Sequence, residues 1–336
     1  LLEVRDNRLA DASGSPGFYT EPMPPPPSAF ADALVLTGPT GSGKSALALT
    51  LAPKLGAEIV ALDSMTLYRG MDIGTAKPSV ADRTAVPHHL IDVLDPWESG
   101  NVAWWLDRAA DACAEIRGHG RRPLFVGGTP FYLKALLHGL FDAPPASAEI
   151  RERLEREAAE FGPESLHARL AAVDATAAKK LHPNDVRRVV RALEVFEATG
   201  SPISALQQTW AEPALPLPAV ALDWPRDELN RRIDARVDAM LAAGWLDEAR
   251  RLRELPHPLS PEASRALGYP ELFAFLDGQS PWDETADLIR LRTRQFAKRQ
   301  RTWFRGLNLA TVAADSPDLP DLVERAFAHA ATAPGR

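Results

Sequence analysis

The glycine-rich stretch Gly38–Ser45, which reads Gly-Pro-Thr-Gly-Ser-Gly-Lys-Ser, constrains the fold of this chain more than any other feature. It matches the pattern GxxxxGK[ST] and lies between an apolar run at 33–37 and a helical pattern at 46–55. In such a loop several backbone N–H groups converge on phosphate oxygens, while the lysine meets phosphate charge and the last hydroxyl can bind Mg²⁺. A glycine turn without a ligand is the alternative, but the flanking strand and helix favour phosphate. The predicted phosphate-binding residues are Gly38, Pro39, Thr40, Gly41, Ser42, Gly43, Lys44 and Ser45, with Ser45 as the candidate Mg²⁺ ligand.

The composition bounds the class of protein. The chain has 336 residues, of which 45% are hydrophobic and 25% charged, enough for one large domain and a smaller one. No apolar run approaches the ~20 residues of a membrane span and no secretory signal is recognisable, so we expect a cytoplasmic protein without a membrane partner. The single cysteine, Cys113, excludes an internal disulfide and a cysteine-rich zinc module. A net charge of -7 argues against binding nucleic acid over the whole surface but leaves room for a local basic stripe.

Short apolar runs predict buried strands at 33–36, 59–62, 90–94, 124–126, 220–222 and 309–312. Early in the chain they alternate with helical patterns, which is typical of a parallel sheet. Together with the phosphate loop this predicts an α/β fold like that of P-loop nucleoside triphosphate hydrolases, with helices flanking a parallel sheet.

The pattern changes between 143 and 212, where charged helical sequence replaces the strand pattern and predicts an all-helical insertion. The catalytic core is then formed by 31–142 and 213–336, and its second part carries long helical patterns at 226–255, 261–276 and 283–306. Residues 1–30 contain six of the chain's prolines and show no apolar periodicity, so we expect a disordered tail there.

Asp63 ends an apolar strand pattern, at the edge where open α/β sheets bind ligands. Two functional roles are open to it: a Mg²⁺ ligand, or a general base that accepts a substrate proton. A third interpretation is structural, with the carboxylate capping the turn through Ser64 and Met65.

The segment Gly127–Pro130 also runs from a strand pattern into a helix, with Thr129 at the N-cap and Pro130 in the first turn. Capping alone would explain Thr129. The strand end belongs to the same crevice as the phosphate loop, however, and the two glycines would let a ligand approach the backbone.

Basic side chains mark two helical patterns. In the insertion, Asn184 and Asp185 predict the start of a helix, and its buried face is predicted to carry Val186, Val189, Val190 and Leu193. Arg187 and Arg191 share one exposed side of this helix, which suits either solvent or a nucleic-acid backbone. In the last long helix Arg290, Arg294, Lys298, Arg301 and Arg305 fall within an arc of roughly 80°, opposite Ile289, Phe296 and Trp303, which we expect to pack on the core. Five unpaired cations would repel one another, so this stripe predicts a polyanionic partner. The pair His88 and His89 points apart in a strand and predicts packing, not metal binding.

Together these segments resemble the tRNA dimethylallyltransferase family over 33–306. The resemblance rests on Gly38–Ser45, Asp63–Pro78 with its sequence DIGTAKP, Val126–Thr129, the HPND of His182–Asp185, Arg188–Glu194 and Arg265–Tyr269. The phosphate loop alone occurs in many families, whereas DIGTAKP together with HPND is specific to the tRNA and adenylate prenyltransferases. Two positions depart from the family pattern: Thr66 stands where glutamine is common, and Pro270 where a basic residue is frequent.

The resemblance implies transfer of a dimethylallyl group from dimethylallyl diphosphate to N6 of adenosine 37 in the anticodon stem-loop of tRNAs that read codons beginning with U, with Mg²⁺ as cofactor, by a monomeric enzyme. It implies Asp63 as general base, Arg265 as a second diphosphate contact and Thr129 as a base-side catalytic residue, with the phosphate loop holding the diphosphate. The implied tRNA-binding residues are Asp63, Ser64, Met65, Thr66, Thr129, Arg151, Arg187, Arg188, Val189, Val190 and Arg191.

Three other functions compete with this interpretation. A small-molecule or nucleotide kinase would use the phosphate loop for ATP, which it most often binds. An adenylate isopentenyltransferase would share the chemistry without needing tRNA, although the helical insertion and basic stripe favour the larger substrate. A non-catalytic RNA-binding module would leave Asp63 and the phosphate loop without a purpose.

Overall fold

The computed structural model describes residues 25–140, 147–207, 216–307 and 309–332. Its strands are β1 Leu34–Thr37, β2 Ala57–Ala61, β3 His88–His89, β4 Arg122–Gly127, β5 Ala219–Asp223 and β6 Ala310–Ala313. Its helices are α1 Lys44–Lys54, α2 Val80–Ala85, α3 Val102–Gly118, α4 Pro130–His138, α5 Ala148–Phe161, α6 Pro163–Val173, α7 Ala175–Lys180, α8 Val186–Thr199, α9 Ile203–Leu206, α10 Arg226–Ala242, α11 Trp245–Arg253, α12 Tyr269–Leu276, α13 Trp282–Arg305 and α14 Leu319–Thr332. Short 3₁₀ helices span Pro27–Phe30 and Ala263–Arg265.

The strands form one sheet in the order β3-β2-β4-β1-β5-β6, and every pair is parallel. Side chains alternate between its faces, as a strand requires: Leu34 and Leu36 pack with Leu51 of α1 on one face, and Val35 packs with Trp105 of α3 on the other. Burial on both faces explains why the central strands β1, β2, β4 and β5 are largely apolar. The edge strand β6 is mostly exposed, so the buried strand predicted at 309–312 is a strand but is not buried. The predicted α/β fold with a parallel sheet is confirmed.

A second group of helices, α5 to α9, lies between α4 and β5 in the chain and has a core of its own. Leu154 of α5, Leu166 of α6, and Val189 and Leu193 of α8 are buried in it together. Within the described residues of this segment there is no strand, as the sequence predicts.

The strand predicted at 90–94 is wrong. The strand here is only His88–His89, and the chain turns after it, with φ of 61° at Leu90 and 57° at Asp92. The turn is closed by the backbone N–H groups of Val93 and Leu94, which both donate to the carbonyl of Leu67 at 2.8 and 2.9 Å. The apolar pattern reflected burial in a turn.

The helical pattern at 226–255 is two helices, α10 and α11, because Gly244 adopts the left-handed conformation with φ of 97°. The pattern at 261–276 is likewise broken at Gly268, where a β-carbon would lie 2.1 Å from the ring of Trp245. Such close packing of backbone on a buried indole requires glycine.

The tail expected over 1–30 lies largely outside the described residues, but its last part is folded. Phe30 is buried and meets the ring of Phe125 edge-on, with centroids 6.0 Å apart. Arg117 of α3 donates to the carbonyl of Ala29 at 2.7 Å. The packed chain therefore begins before residue 31. In the described ranges no helix combines the length and the apolar character that crossing a membrane requires.

Candidate active site

The phosphate loop joins the carboxyl end of β1 to the amino end of α1. Gly43 adopts the left-handed conformation with φ of 89°, and α1 begins at Lys44, so the N–H groups of the first turn face the loop. Two side chains after β5 hold the loop from outside: Nε1 of Trp224 donates to the carbonyl of Ser42 at 2.9 Å, and Nε of Arg232 donates to that of Gly41 at 3.0 Å. The loop therefore has the shape of an anion cradle before any ligand binds.

Lys44 lies among charged neighbours inside the cradle. Burial, with a smaller contribution from the positive charge of Arg236, lowers the pKa of its ammonium to about 8, and the Asp63 carboxylate opposes this. Arg236 comes from α10, and burial lowers its pKa too, again opposed by Asp63. Two cations and one carboxylate thus meet at this edge of the sheet, a surplus of positive charge that suits an anionic ligand.

Asp63 follows β2 and has one engaged and one free oxygen. Its Oδ1 accepts a hydrogen bond from the backbone N–H of Met65 at 2.8 Å, as the turn-capping interpretation predicts. Its Oδ2 accepts no hydrogen bond from any residue in the described ranges. The carboxylate can therefore cap the turn and still accept a proton from a substrate.

Thr129 stands at the N-cap of α4 with Pro130 in the first turn, as predicted, but its side chain does not cap the helix. Its Oγ1 instead accepts a hydrogen bond from the N–H of Ser64 at 3.1 Å. The hydroxyl thus ties the segment that carries Asp63 to the start of α4.

Gly127 and Gly128 permit close backbone packing beside the cradle. A β-carbon on Gly127 would lie 2.0 Å from the carbonyl oxygen of Leu62, and one on Gly128 would lie 3.0 Å from that of Gly38 and 3.4 Å from Nζ of Lys44. The ends of β1, β2 and β4 therefore converge on one point.

Gln300 of α13 completes this arrangement, and sequence reasoning missed it. Its side chain bonds to Thr40 of the phosphate loop and to Gly128. The predicted buried face of α13 was partly wrong, because Ile289 is buried but Trp303 is 43% exposed. The buried face is rotated about the helix axis and includes Thr293, Ala297 and Gln300.

The residues present fit a Mg²⁺ ion that is held mainly by a phosphate ligand. Within the described ranges no group of three or more His, Cys, Asp or Glu side chains could hold a metal by itself. Mg²⁺ usually keeps several waters and takes one or two protein oxygens plus substrate phosphates. The Ser45 hydroxyl, exposed at the start of α1 and without a partner among the described residues, is such an oxygen.

Arg265 lies at the end of the second 3₁₀ helix and is exposed. No hydrogen bond or ion pair with a residue of the described ranges holds its guanidinium, so no contact observed here ties it to the cradle.

The basic residues of the insertion fall into three kinds. Arg151 and Arg191 both bond to the fully buried carboxylate of Glu194, at 3.1 and 2.9 Å, so two cations share one anion. Arg188 pairs with Asp185, and Arg187 is exposed and makes no ion pair within the described part of the chain. Val189 and Val190 are buried in the insertion core, so any contact of these two residues with tRNA would come from their backbone, and their assignment to the tRNA-binding residues stays a prediction.

The stripe on α13 is not the unpaired row that the sequence suggested. Three of its cations have acidic partners: Arg290 pairs with Asp238 and Asp287, Arg294 with Asp234, and Arg301 with Asp223. The argument from self-repulsion therefore fails for these three. Lys298 and Arg305 make no ion pair with the described residues, and both line a groove of about 390 Å³ between α10 and α13.

The DIGTAKP segment is held by a buried carboxylate. Glu248 of α11 accepts hydrogen bonds from the backbone N–H groups of Asp72 and Ile73 at 2.8 Å and of Gly74 at 3.0 Å. The hydroxyl of Tyr269 donates to the same carboxylate at 2.7 Å. The backbone of residues 72–74 is therefore fixed by a buried anion that lies more than 170 residues away in the chain.

Comparison with known proteins supports the family resemblance found in the sequence. A family model described as IPP transferase matches residues 66–307, and one described as isopentenyl transferase matches residues 31–91. The tRNA dimethylallyltransferase of Geobacter metallireducens is 48% identical over 81% of this chain and 89% of its own length. This chain belongs to the tRNA dimethylallyltransferase family.

Solved structures agree with this family assignment. The crystal structure of the tRNA isopentenylpyrophosphate transferase of Bacillus halodurans superposes with a TM-score of 0.65 at 36% identity, over 90% of this chain and 98% of the other. A eukaryotic dimethylallyltransferase, described as acting on tRNA, gives a TM-score of 0.73 at 27% identity, over 91% and 81%. The chain is thus a transferase that prenylates tRNA, on the P-loop-like fold of its neighbours.

Proposed function

We propose that this enzyme takes the dimethylallyl group from dimethylallyl diphosphate and attaches it to N6 of adenosine 37 in the anticodon loop of tRNAs that read codons beginning with U. The observation that carries the proposal is Asp63, a carboxylate with one free oxygen beside a lysine-containing phosphate cradle. A proton acceptor and a diphosphate site at one sheet edge are what this transfer needs.

Asp63 would act on the acceptor. The N6 lone pair of adenine is delocalised into the ring, so it is a weak nucleophile. As the bond from N6 to the allylic carbon forms, Oδ2 of Asp63 takes an N6 proton, which contributes a factor of typically ~10² to 10⁴. The Met65 bond to Oδ1 fixes the direction of the carboxylate.

The cradle would act on the leaving group. The carbon–oxygen bond to diphosphate breaks with its electron pair on oxygen, and positive charge develops on the allylic carbon. Lys44, Arg236 and the N–H groups at the start of α1 surround the position where the diphosphate charge would sit. Each well-placed donor can supply roughly 3 kcal/mol. Arg236 would thus join Lys44 as a diphosphate contact, a role for which the sequence gave no sign.

Mg²⁺, when bound, would neutralise part of the diphosphate charge, with the Ser45 hydroxyl as its protein ligand. The remaining groups act through hydrogen bonds and charge. Thr129 keeps the Ser64 backbone next to α4, so the partly exposed residues Asp63, Ser64 and Met65 would line the approach to the cradle, while Thr66 is buried behind them.

The target base must leave its stack to reach Asp63, at a cost of a few kcal/mol, which is smaller in a loop than in a duplex. The insertion would hold the anticodon stem-loop through Arg187, with Arg151, Arg188 and Arg191 as half-neutralised cations around it. We propose further that the enzyme works as a monomer in the cytoplasm.

The test is mass spectrometry of nucleosides from unmodified tRNA after incubation with the protein, Mg²⁺ and dimethylallyl diphosphate. We expect N6-dimethylallyladenosine from a tRNA with adenosine 37 and none from the same tRNA with guanosine at that position. AMP in place of tRNA, and ATP in place of the donor, serve as controls for the adenylate transferase and kinase alternatives. Product from AMP, or no product from the tRNA, would contradict the proposal.

A further inference from the structure

Gln300 is buried on the inner side of α13, with 3% of its surface exposed. Its Oε1 accepts a hydrogen bond from the backbone N–H of Thr40 at 2.8 Å, and its Nε2 donates to the carbonyl of Gly128 at 2.6 Å. Both partners are backbone groups with a fixed role as donor or acceptor. The neutral amide of glutamine satisfies the two at once, whereas an ionised carboxylate cannot donate and an apolar side chain can do neither.

These two bonds connect the halves of the site. Thr40 belongs to the cradle, and Gly128 precedes Thr129, whose hydroxyl holds the N–H of Ser64 beside Asp63. One side chain therefore sets the spacing between the group that would hold the diphosphate and the segment that carries the proton acceptor. Because the N–H of Thr40 is bonded to Gln300, this N–H group positions the loop and is not a donor to the diphosphate.

The geometry points to Gln300 as a positioning residue for prenyl transfer: it holds the phosphate cradle at the distance from the Asp63 segment that the reaction needs. This inference rests on the proposed donor site. Gln300 does not touch the reacting atoms, so its loss misplaces two binding surfaces that each remain intact. A displacement of about 1 Å can lower a rate by about 10².

The experiment compares Gln300→Met, which keeps the size and removes both hydrogen bonds, with Gln295→Met. Gln295 lies on the same helix, is exposed and lines the groove of Lys298 and Arg305. The single-turnover rate is measured at saturating tRNA and dimethylallyl diphosphate, and tRNA affinity separately. We expect Gln300→Met to lower the rate at least tenfold with tRNA affinity within about twofold of wild type, and Gln295→Met to leave the rate unchanged.

A second variant decides the question if Gln300→Met does not fold. In Gln300→Glu the carboxylate still accepts from Thr40 but faces the carbonyl of Gly128, and only its protonated form can donate to that carbonyl. Burial raises the pKa of a carboxyl group, so the fraction of protonated Gln300→Glu should increase as the pH falls from 8 to 6. We therefore expect the rate of Gln300→Glu relative to wild type to rise over this range. A packing role alone would give no such dependence.

A ratio that stays flat over this pH range overturns the inference, and so does a Gln300→Met rate equal to that of wild type or a defect confined to tRNA affinity. Failure of the proposed function is recognised separately, because wild-type protein would then yield no dimethylallylated tRNA.

Discussion

The carboxylate of Glu248 offers a sharp test of how the DIGTAKP segment is held. It is 1% exposed and accepts four hydrogen bonds, three from backbone N–H groups of residues 72–74 and one from the hydroxyl of Tyr269. Glu248→Gln keeps the size of the side chain but turns one accepting oxygen into an NH₂ group. If the NH₂ group turns toward Tyr269, whose hydroxyl can also accept, one backbone N–H group faces a donor, and in the other orientation two do.

The magnitude follows from the number of lost bonds, which is at least one. Hydrogen bonds to a charged group contribute about 1.5 to 3 kcal/mol each, so Glu248→Gln should lower the free energy of unfolding by at least about 1.5 to 3 kcal/mol. Tyr269→Phe removes one bond and should cost about 1.5 to 3 kcal/mol. The control is Asp247→Asn, because Asp247 is an exposed neighbour whose pair with Arg250 contributes at most about 1 kcal/mol.

The assay is urea unfolding followed by tryptophan fluorescence, with the free energies of the three variants compared at a common denaturant concentration. Equal stability of Glu248→Gln and Asp247→Asn would refute the reasoning, since it would mean that the three N–H groups do not depend on the carboxylate. We further expect the Glu248→Gln protein to transfer the prenyl group more slowly, because the segment it releases follows Asp63 in the chain.

Three further outcomes test separate parts of the site. Because the pKa of Lys44 is lowered to about 8, its ammonium is present below that pH and lost above it. The kcat/KM for dimethylallyl diphosphate should therefore fall about tenfold per pH unit above 8, and Lys44→Arg should remove this fall. A wild-type profile that is flat to about pH 9.5 would contradict this prediction. Gly128→Ala should slow transfer, because its β-carbon would lie 2.7 Å from Nε2 of Gln300, whereas Gly118→Ala, with open space around it, should not; equal rates would disprove the packing argument. Arg187→Ala should reduce the salt dependence of tRNA binding by about one phosphate contact, while Lys54→Ala on α1 should leave it unchanged; identical slopes for the two would exclude Arg187 from the interface.

Local patterns in the sequence were sufficient for the cradle. The glycine at 43 and the lysine at 44 predicted a turn into a helix because left-handed backbone at a helix start is a property of a few adjacent residues. The same holds for Pro130 at the start of α4. The neighbourhood of Asp63 followed from the general rule that parallel strands end at one edge.

Long-range pairings could not be predicted. Gln300 is 260 residues from Thr40, and nothing in its own helix pattern distinguishes a polar side chain that bonds a loop from one that faces solvent. Three of the four acidic partners of the α13 stripe lie on other elements, two on α10 and one on β5, so the sequence of α13 alone predicted repulsion where the structure has ion pairs. The strand predicted at 90–94 was wrong for a different reason. Buried positions such as Leu90 and Leu94 favour apolar residues whether the backbone is extended or turned, so the apolar pattern does not distinguish the two.

The central claim, that Asp63 is the proton acceptor beside the diphosphate cradle, is tested most directly by the single-turnover rate of Asp63→Asn. Asparagine keeps an oxygen for the N–H of Met65 and removes the basic carboxylate. We predict that transfer from dimethylallyl diphosphate to tRNA slows by about 10² to 10⁴ while tRNA affinity stays within a few-fold of wild type. Transfer by Asp63→Asn at the wild-type rate would contradict the account.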